Sequence, residues 1–259
     1  MIFEKKKIIF DVGAFDGSDG LMLALKNKNH FIYAFEANLD QYKIIKKNKS
    51  ILESRIGKKI INYKILNFAV SNLNNINKYF YVAKNPTVSS LNKFSNNFKK
   101  TWKGYEKMFQ VSKTLKVKTI TLSKFCLLNS IKKIAYLHCD TQGSDLKVFQ
   151  GLGNCKKILD SGVMECAVNK KRSLYQGNHT LEQTKKILFK NGFHIYRIKE
   201  IEGTQGNEFN VFYIRKKLRD KSINLNYNTR YLRRVFQNQT YFKDDIKDFI
   251  LRLYNRFLA

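Results

Sequence analysis

Residues 8–20, IIFDVGAFDGSDG, constrain the fold of this chain more than any other stretch. An apolar run from Ile8 to Phe10 meets Asp11. A turn follows with Gly13, Gly17 and Gly20, then the helical apolar pattern of Leu21, Met22, Leu23 and Leu25. A strand that feeds a glycine-rich turn and then a helix forms a nucleotide cradle: glycine lets backbone approach a ligand closely, and the first turn of the helix offers unpaired N–H groups. This cradle is acidic. Asp11, Asp16 and Asp19 lie within it, in a chain whose formal net charge is +29. Those carboxylates would repel a pyrophosphate and attract a ligand with a cationic end.

The spacing agrees. A dinucleotide fingerprint has its second glycine two residues after the first, whereas here Gly13 is followed by Ala14 and Phe15 and the next glycine is Gly17. The next apolar run, Phe31 to Phe35, ends at Glu36 and Ala37. An acid at that strand end is placed to accept hydrogen bonds from both hydroxyls of a ribose. S-adenosylmethionine, with its α-ammonium and sulfonium and without phosphate, suits both acidic positions. Asp11, Gly13, Ala14, Asp16, Gly17, Glu36 and Ala37 are therefore the expected cofactor residues. The plainer alternative is a strand–turn–helix with surface carboxylates.

FDVGAFDGSDG at 10–20, YAFEAN at 33–38, NFAVSN at 67–72 and YLHCDTQGSDLKVFQGLG at 136–153 together resemble the FkbM-type methyltransferases, in order and over about residues 8–214. The resemblance implies the class I, Rossmann-like α/β fold with a central, mostly parallel seven-stranded sheet and helices on both faces. It also implies S-adenosylmethionine as donor and O-methylation of a sugar or secondary metabolite. It puts Asp140 in the active site, Asn67 at a polar adenine contact with Ala69 following it, and Ser89 and Ser90 along the pocket.

The residues themselves suggest the chemistry. An alcohol acceptor needs a base within hydrogen-bond reach. Strand alternation puts His138 and Asp140 on one face at the mouth of a strand, and His138 is the side chain with a suitable ordinary pKa. Glu165 lies in the apolar run GVMECA, where a carboxylate costs several kcal/mol unless it is paired or at the mouth. Asp140, Glu165 and His138 are the catalytic candidates; Gln142 and Asp145 join Ser89 and Ser90 on the acceptor side. A lone strand histidine is more often a satisfied core residue, and Asp145 also suits the first turn of a helix. His30, His179 and His194 lack partners at metal-ligand spacing, so no metal is implied.

Strand-like and helix-like runs alternate, which argues for a parallel sheet. The run 60–70 reads as one strand, and 39–49 as a helix. Residues 79–84 and 115–120 read as strands flanking the segment 85–110, which carries the chain's single Pro and single Trp. That insertion is expected to be a mobile substrate lid. Residues 1–214 read as the catalytic domain and 215–259 as a basic, helical extension with an amphipathic helix over 244–259. The extension could pack on the sheet domain or a second subunit, or touch a membrane surface.

Four cysteines without a C-x-x-C pair suit a reduced, cytoplasmic protein. The lysines before Ile8 resemble a signal peptide, but the apolar run is too short for one. With the strand of the cradle beginning by residue 7, cover for the pocket is left to 85–110, the basic tail or a partner. The positive charge reflects a compositional bias towards lysine, as an A/T-rich coding sequence would produce, or serves attraction to a polyanion such as an acidic glycan, lipid headgroups or nucleic acid. The latter keeps an RNA methyltransferase as the rival enzyme. A donor-binding module without catalysis is the rival outside enzymes.

Overall fold

The computed structural model describes residues 7–96 and 98–218, with Leu232, Arg233 and Phe236. In chain order, β1 (Lys7–Val12), α1 (Ser18–Lys26), β2 (His30–Phe35), α2 (Leu39–Ile56) and β3 (Tyr63–Leu66) form the first half. β4 (Ala69–Val70), β5 (Asn77–Ala83), α3 (Phe98–Thr101) and β6 (Val111–Ile120) form an excursion. α4 (Leu122–Leu128), β7 (Ile134–Cys139), α5 (Asp145–Gly151), β8 (Leu159–Ala167), α6 (Leu181–Lys190), β9 (Phe193–Glu200) and β10 (Glu208–Arg215) complete the fold.

The main sheet has seven strands in the order β3-β2-β1-β7-β8-β10-β9. β10 is antiparallel to both neighbours, and the other pairings are parallel. This is the expected class I α/β fold. Alternation along β1 builds both faces. Phe10 and Val12 pack with Phe35, Phe125, Val148 and Phe149 on one side, and Ile9 packs with Leu21, Ile32, Ile45 and Leu52 on the other. Burial of both faces explains why these strands read as continuous apolar runs. The chain winds outward through β2 and β3, then returns to the other side of β1 as β7. The sheet order therefore reverses between β1 and β7, where open α/β sheets bind ligands.

Two elements differ from the sequence expectation, and a third matches it. The run 60–70 is two strands in two sheets. The Asn67 side chain donates to the carbonyls of Glu36 and Ala37 (2.8 and 3.1 Å), tying off the β2–β3 edge, and β4 then pairs with β6. β4, β6 and β5 form a separate three-stranded sheet. α2 runs on to Ile56, because Ile45 and Leu52 continue its buried stripe and the left-handed Gly57 stops it. α6 opens on the capping box of Thr180 and Gln183 that its sequence announces.

The described residues of 85–110 pack as a cap over the sheet. Phe94, Phe98, Trp102, Tyr105 and Phe109 cluster with Leu174 and Tyr175, and the Trp102 indole donates to the Arg172 carbonyl. Beyond β10, Lys216–Leu218 form a single 3-10 turn. Leu232 is fully buried among the residues of the α1/α2 face, with Phe236 packed beside it. The amphipathic helix expected at 244–259 lies outside the described residues. Among the described residues no helix is long and apolar enough to cross a membrane.

Candidate active site

A cavity of about 530 Å³ opens at the C-terminal ends of β1, β2, β7 and β8 and is roofed by the aromatic cap. The turn after β1 forms its floor. Gly13 has φ +84°, and a Cβ there would stand 1.8 Å from the Asp140 carbonyl oxygen, so β1 and β7 can close together only over glycine. Both Gly13 and Ala14 donate to the Phe35 carbonyl at 3.0 Å, which draws the turn onto the end of β2.

Glu36 sits at that end, buried. One carboxylate oxygen accepts from the Phe15 N–H (2.9 Å) and the other from the Asn38 N–H (2.8 Å). Burial pushes its pKa up to about 7, against those hydrogen bonds. Each oxygen keeps a further lone pair for a donor in the cavity. Ala37, Phe68, Ala69 and Val70 make the neighbouring wall apolar. A carboxylate fixed from behind next to an apolar slot fits the ribose and purine of S-adenosylmethionine. The carboxylates of Asp11, Asp19 and Asp140 fit its cationic end.

The structure corrects the sequence reading of His138. Its Nδ1 meets Asp11 Oδ1 at 2.8 Å. Burial alone would lower the imidazole pKa, but the Asp11 hydrogen bond and charge, with Asp19 and Asp140, raise it to about 9. With its Nδ1 engaged by Asp11 and its pKa raised, the imidazole is disposed to hold a proton rather than to take one from an acceptor. Asp11 is fully buried. Its second oxygen, which has no hydrogen-bond partner, faces α1: a Cβ on Gly20 would lie 2.3 Å from it. Asp11 therefore reaches a ligand chiefly through the charge it shares with His138.

On the other side of β7, Gln142 occupies the left-handed region (φ 54°). A non-glycine residue there stores strain of about 1–3 kcal/mol, a cost often found at functional sites. Its amide donates to Asp140 (2.7 Å) and Glu165 (3.2 Å) and accepts from the Tyr175 hydroxyl (2.7 Å). Glu165 is buried and hydrogen-bonds Glu208 on the adjacent strand. Burial, then the Glu208 charge, hold Glu165 well above the usual carboxylate range. Burial pushes Glu208 up to about 7, against the hydrogen bond from Glu165.

Eleven of the expected site residues line the cavity: Asp11, Gly13, Ala14, Glu36, Ala37, Ala69, Ser89, His138, Asp140, Gln142 and Glu165. Five do not. Asp16 accepts from the backbone N–H and hydroxyl of Ser18, Gly17 packs against Ile45, and Asn67 braces the end of β2. The Ser90 hydroxyl donates to the Gln142 carbonyl. Asp145, assigned to the acceptor side, is fully buried and accepts from the N–H groups of Thr141 and Glu165 (2.8 and 2.6 Å). These residues shape the site from behind. Glu208 escaped the sequence reading. Its one signal is an acid opening the apolar run EFNVFYIR, and its antiparallel pairing with β8 is invisible to strand periodicity.

Comparison with known proteins identifies the family. The family model described as the methyltransferase FkbM domain matches residues 11–195. No curated protein matches the sequence significantly. Among solved structures, a methyltransferase FkbM from Methylobacillus flagellatus KT superposes with a TM-score of 0.49 at 11% identity, over 82% of this chain and 45% of that one. The chain thus spans under half the length of that protein. Magnesium protoporphyrin IX methyltransferase from Synechocystis PCC 6803, solved with bound SAM, gives 0.43 at 12% identity over 82% and 71%. The Methanococcus jannaschii fibrillarin pre-rRNA processing protein gives 0.44 at 13% over 83% and 69%. With the family model covering residues 11–195, most of the chain, the protein belongs to the FkbM family of methyltransferases.

Proposed function

We propose that this chain methylates a hydroxyl oxygen of a sugar, glycan or lipid-linked intermediate. The observation that carries the reading is the meeting, in one capped cavity, of the anchored Glu36 with the buried Glu165–Glu208 carboxyl pair. The donor, when bound, supplies an electrophilic methyl carbon. The residues of the chain do the rest. Glu36 accepts from the ribose hydroxyls, and the Gly13–Ala14 turn sets the depth of the seat. The imidazolium of His138, neutralised by Asp11, fixes the floor between β1 and β7.

On the acceptor side, Trp102, Tyr105, Phe109 and Leu174 form an apolar roof that excludes water and suits the face of a sugar ring. Gln142 holds Asp140 and Glu165 in register. Glu165 keeps its proton, and Glu208, ionising near neutrality, receives the proton leaving the acceptor hydroxyl. A base with a pKa close to the working pH is the efficient choice. Holding the acceptor oxygen in line supplies much of the remaining rate.

The test is label transfer from methyl-labelled S-adenosylmethionine into a host extract fractionated into glycan, lipid and RNA pools. Label in glycan or lipid, lost with Glu208→Gln, is expected. Label confined to RNA would overturn the acceptor class. Donor binding without transfer in any pool would favour a non-catalytic module.

A further inference from the structure

The donor's amino-acid end carries an α-carboxylate as well as an α-ammonium, and the cavity wall that suits the ammonium is hostile to the carboxylate. Asp11, Asp19 and Asp140 all line that end. One cation outside the family match, Arg233, reaches the same wall. It is the sole lysine or arginine among the described residues lining the cavity. It comes from the chain after the sheet domain, and the neighbouring Leu232 is fully buried against the α1/α2 face, which fixes where its backbone lies. Its guanidinium lies over the first turn of α1: Nε is 3.3 Å from Ser18 Oγ and 3.4 Å from Asp16 Oδ2, and Nη2 is 3.8 Å from Asp19 Oδ2.

These contacts are long for an arginine–carboxylate pair, where about 2.7–2.9 Å is usual. The side chain stays 49% exposed. A guanidinium held loosely over a first helical turn, beside a carboxylate that faces the cavity, presents the fork geometry that a second carboxylate takes up. Asp19 and Arg233 together offer the two opposite charges that a zwitterion needs.

We propose that Arg233 binds the α-carboxylate of S-adenosylmethionine, so that the donor seat is completed by a residue from beyond the family domain. The inference rests on S-adenosylmethionine being the donor. It makes Arg233, beside the buried Leu232, part of the donor site.

The test is calorimetric titration of the full chain with S-adenosylmethionine and with its decarboxylated analogue, for wild type, Arg233→Gln and Arg233→Lys. Thermal midpoints check that each variant is folded. Losing a charge-assisted fork should weaken S-adenosylmethionine by about tenfold or more in Arg233→Gln while leaving the decarboxylated analogue within about twofold. Arg233→Lys should recover part of that loss. Equal weakening of both ligands would overturn the proposal and leave Arg233 as a brace for the Ser18 turn. Tighter binding in Arg233→Gln would also overturn it, because the guanidinium would then be competing with the ammonium for Asp16 and Asp19. A wild-type chain that binds neither ligand would instead remove the donor reading itself.

Discussion

A single methyl group added to Gly13 would be driven into the Asp140 carbonyl, and its backbone would be held at a φ that alanine resists. Gly13→Ala should cost at least about 1–3 kcal/mol from the backbone alone. It should also widen the gap between β1 and β7, with donor affinity falling more than the thermal midpoint; unaltered calorimetric affinity would contradict this role. Glu36 makes a prediction with a definite sign. Its pKa near 7 in the folded protein means that the ionised form, which accepts from ribose, grows as pH rises through that value. Donor binding should therefore tighten between pH 6 and 8, and Glu36→Gln should flatten the profile. Glu208 should set the acidic limb of kcat/KM, with activity falling below about pH 7 and the limb displaced in Glu208→Gln. A limb unchanged in that variant would return the base to Asp140.

Between the elements, the cap and the sheet should come apart under different stresses. Trp102 is buried in an aromatic cluster whose contacts are mostly within 85–110 and with Leu174 and Tyr175. Trp102→Ala should cost about 3–5 kcal/mol. Limited proteolysis should then cut first within 85–110 while the β1–β7–β8 core stays protected; simultaneous loss of both would mean that the cap and sheet fold as one. The same contrast explains what the sequence could disclose. The β1 turn, Glu36 and the 136–153 block were legible because each combines local backbone demands with residues adjacent in the chain. The split of 60–70 into β3 and β4 was not, because it depends on Asn67 reaching back to the carbonyls of Glu36 and Ala37. Nor was the packing of 85–110, whose aromatic residues meet Leu174 and Tyr175, distant in the chain. His138 was misread for a similar reason: its protonation is decided by Asp11, on another strand.

For the molecule as a whole, four buried groups push stability in one direction. Glu36 and Glu208 have folded pKa values near 7 and Asp145 near 6, all above their ordinary values of 4.5, 4.5 and 3.8. His138 is raised from 6.5 to about 9. A group with a raised folded pKa binds its proton more tightly when native, so its stabilisation is complete below the unfolded pKa and is lost as pH rises through the folded one. The thermal midpoint should therefore decline between about pH 7 and pH 9, above the range in which His179, lowered to about 4 by burial, acts in the opposite sense. A midpoint that rises over that range would contradict the protonation states assigned to the site.

The cavity holds Asp11, Asp19, Glu36, Asp140, Glu165, Glu202 and Glu208 in a chain with only 20 acidic residues against 49 lysines and arginines. Of the lysines and arginines among the described residues, only Arg233 shares that lining. If a polyanion is attracted by the surrounding lysines, the carboxylates of the cavity would oppose its entry to the donor seat. Retention on a heparin column should fall with ionic strength yet be indifferent to bound donor. Docking of a charged carrier and presentation of its neutral hydroxyl would then be separate events.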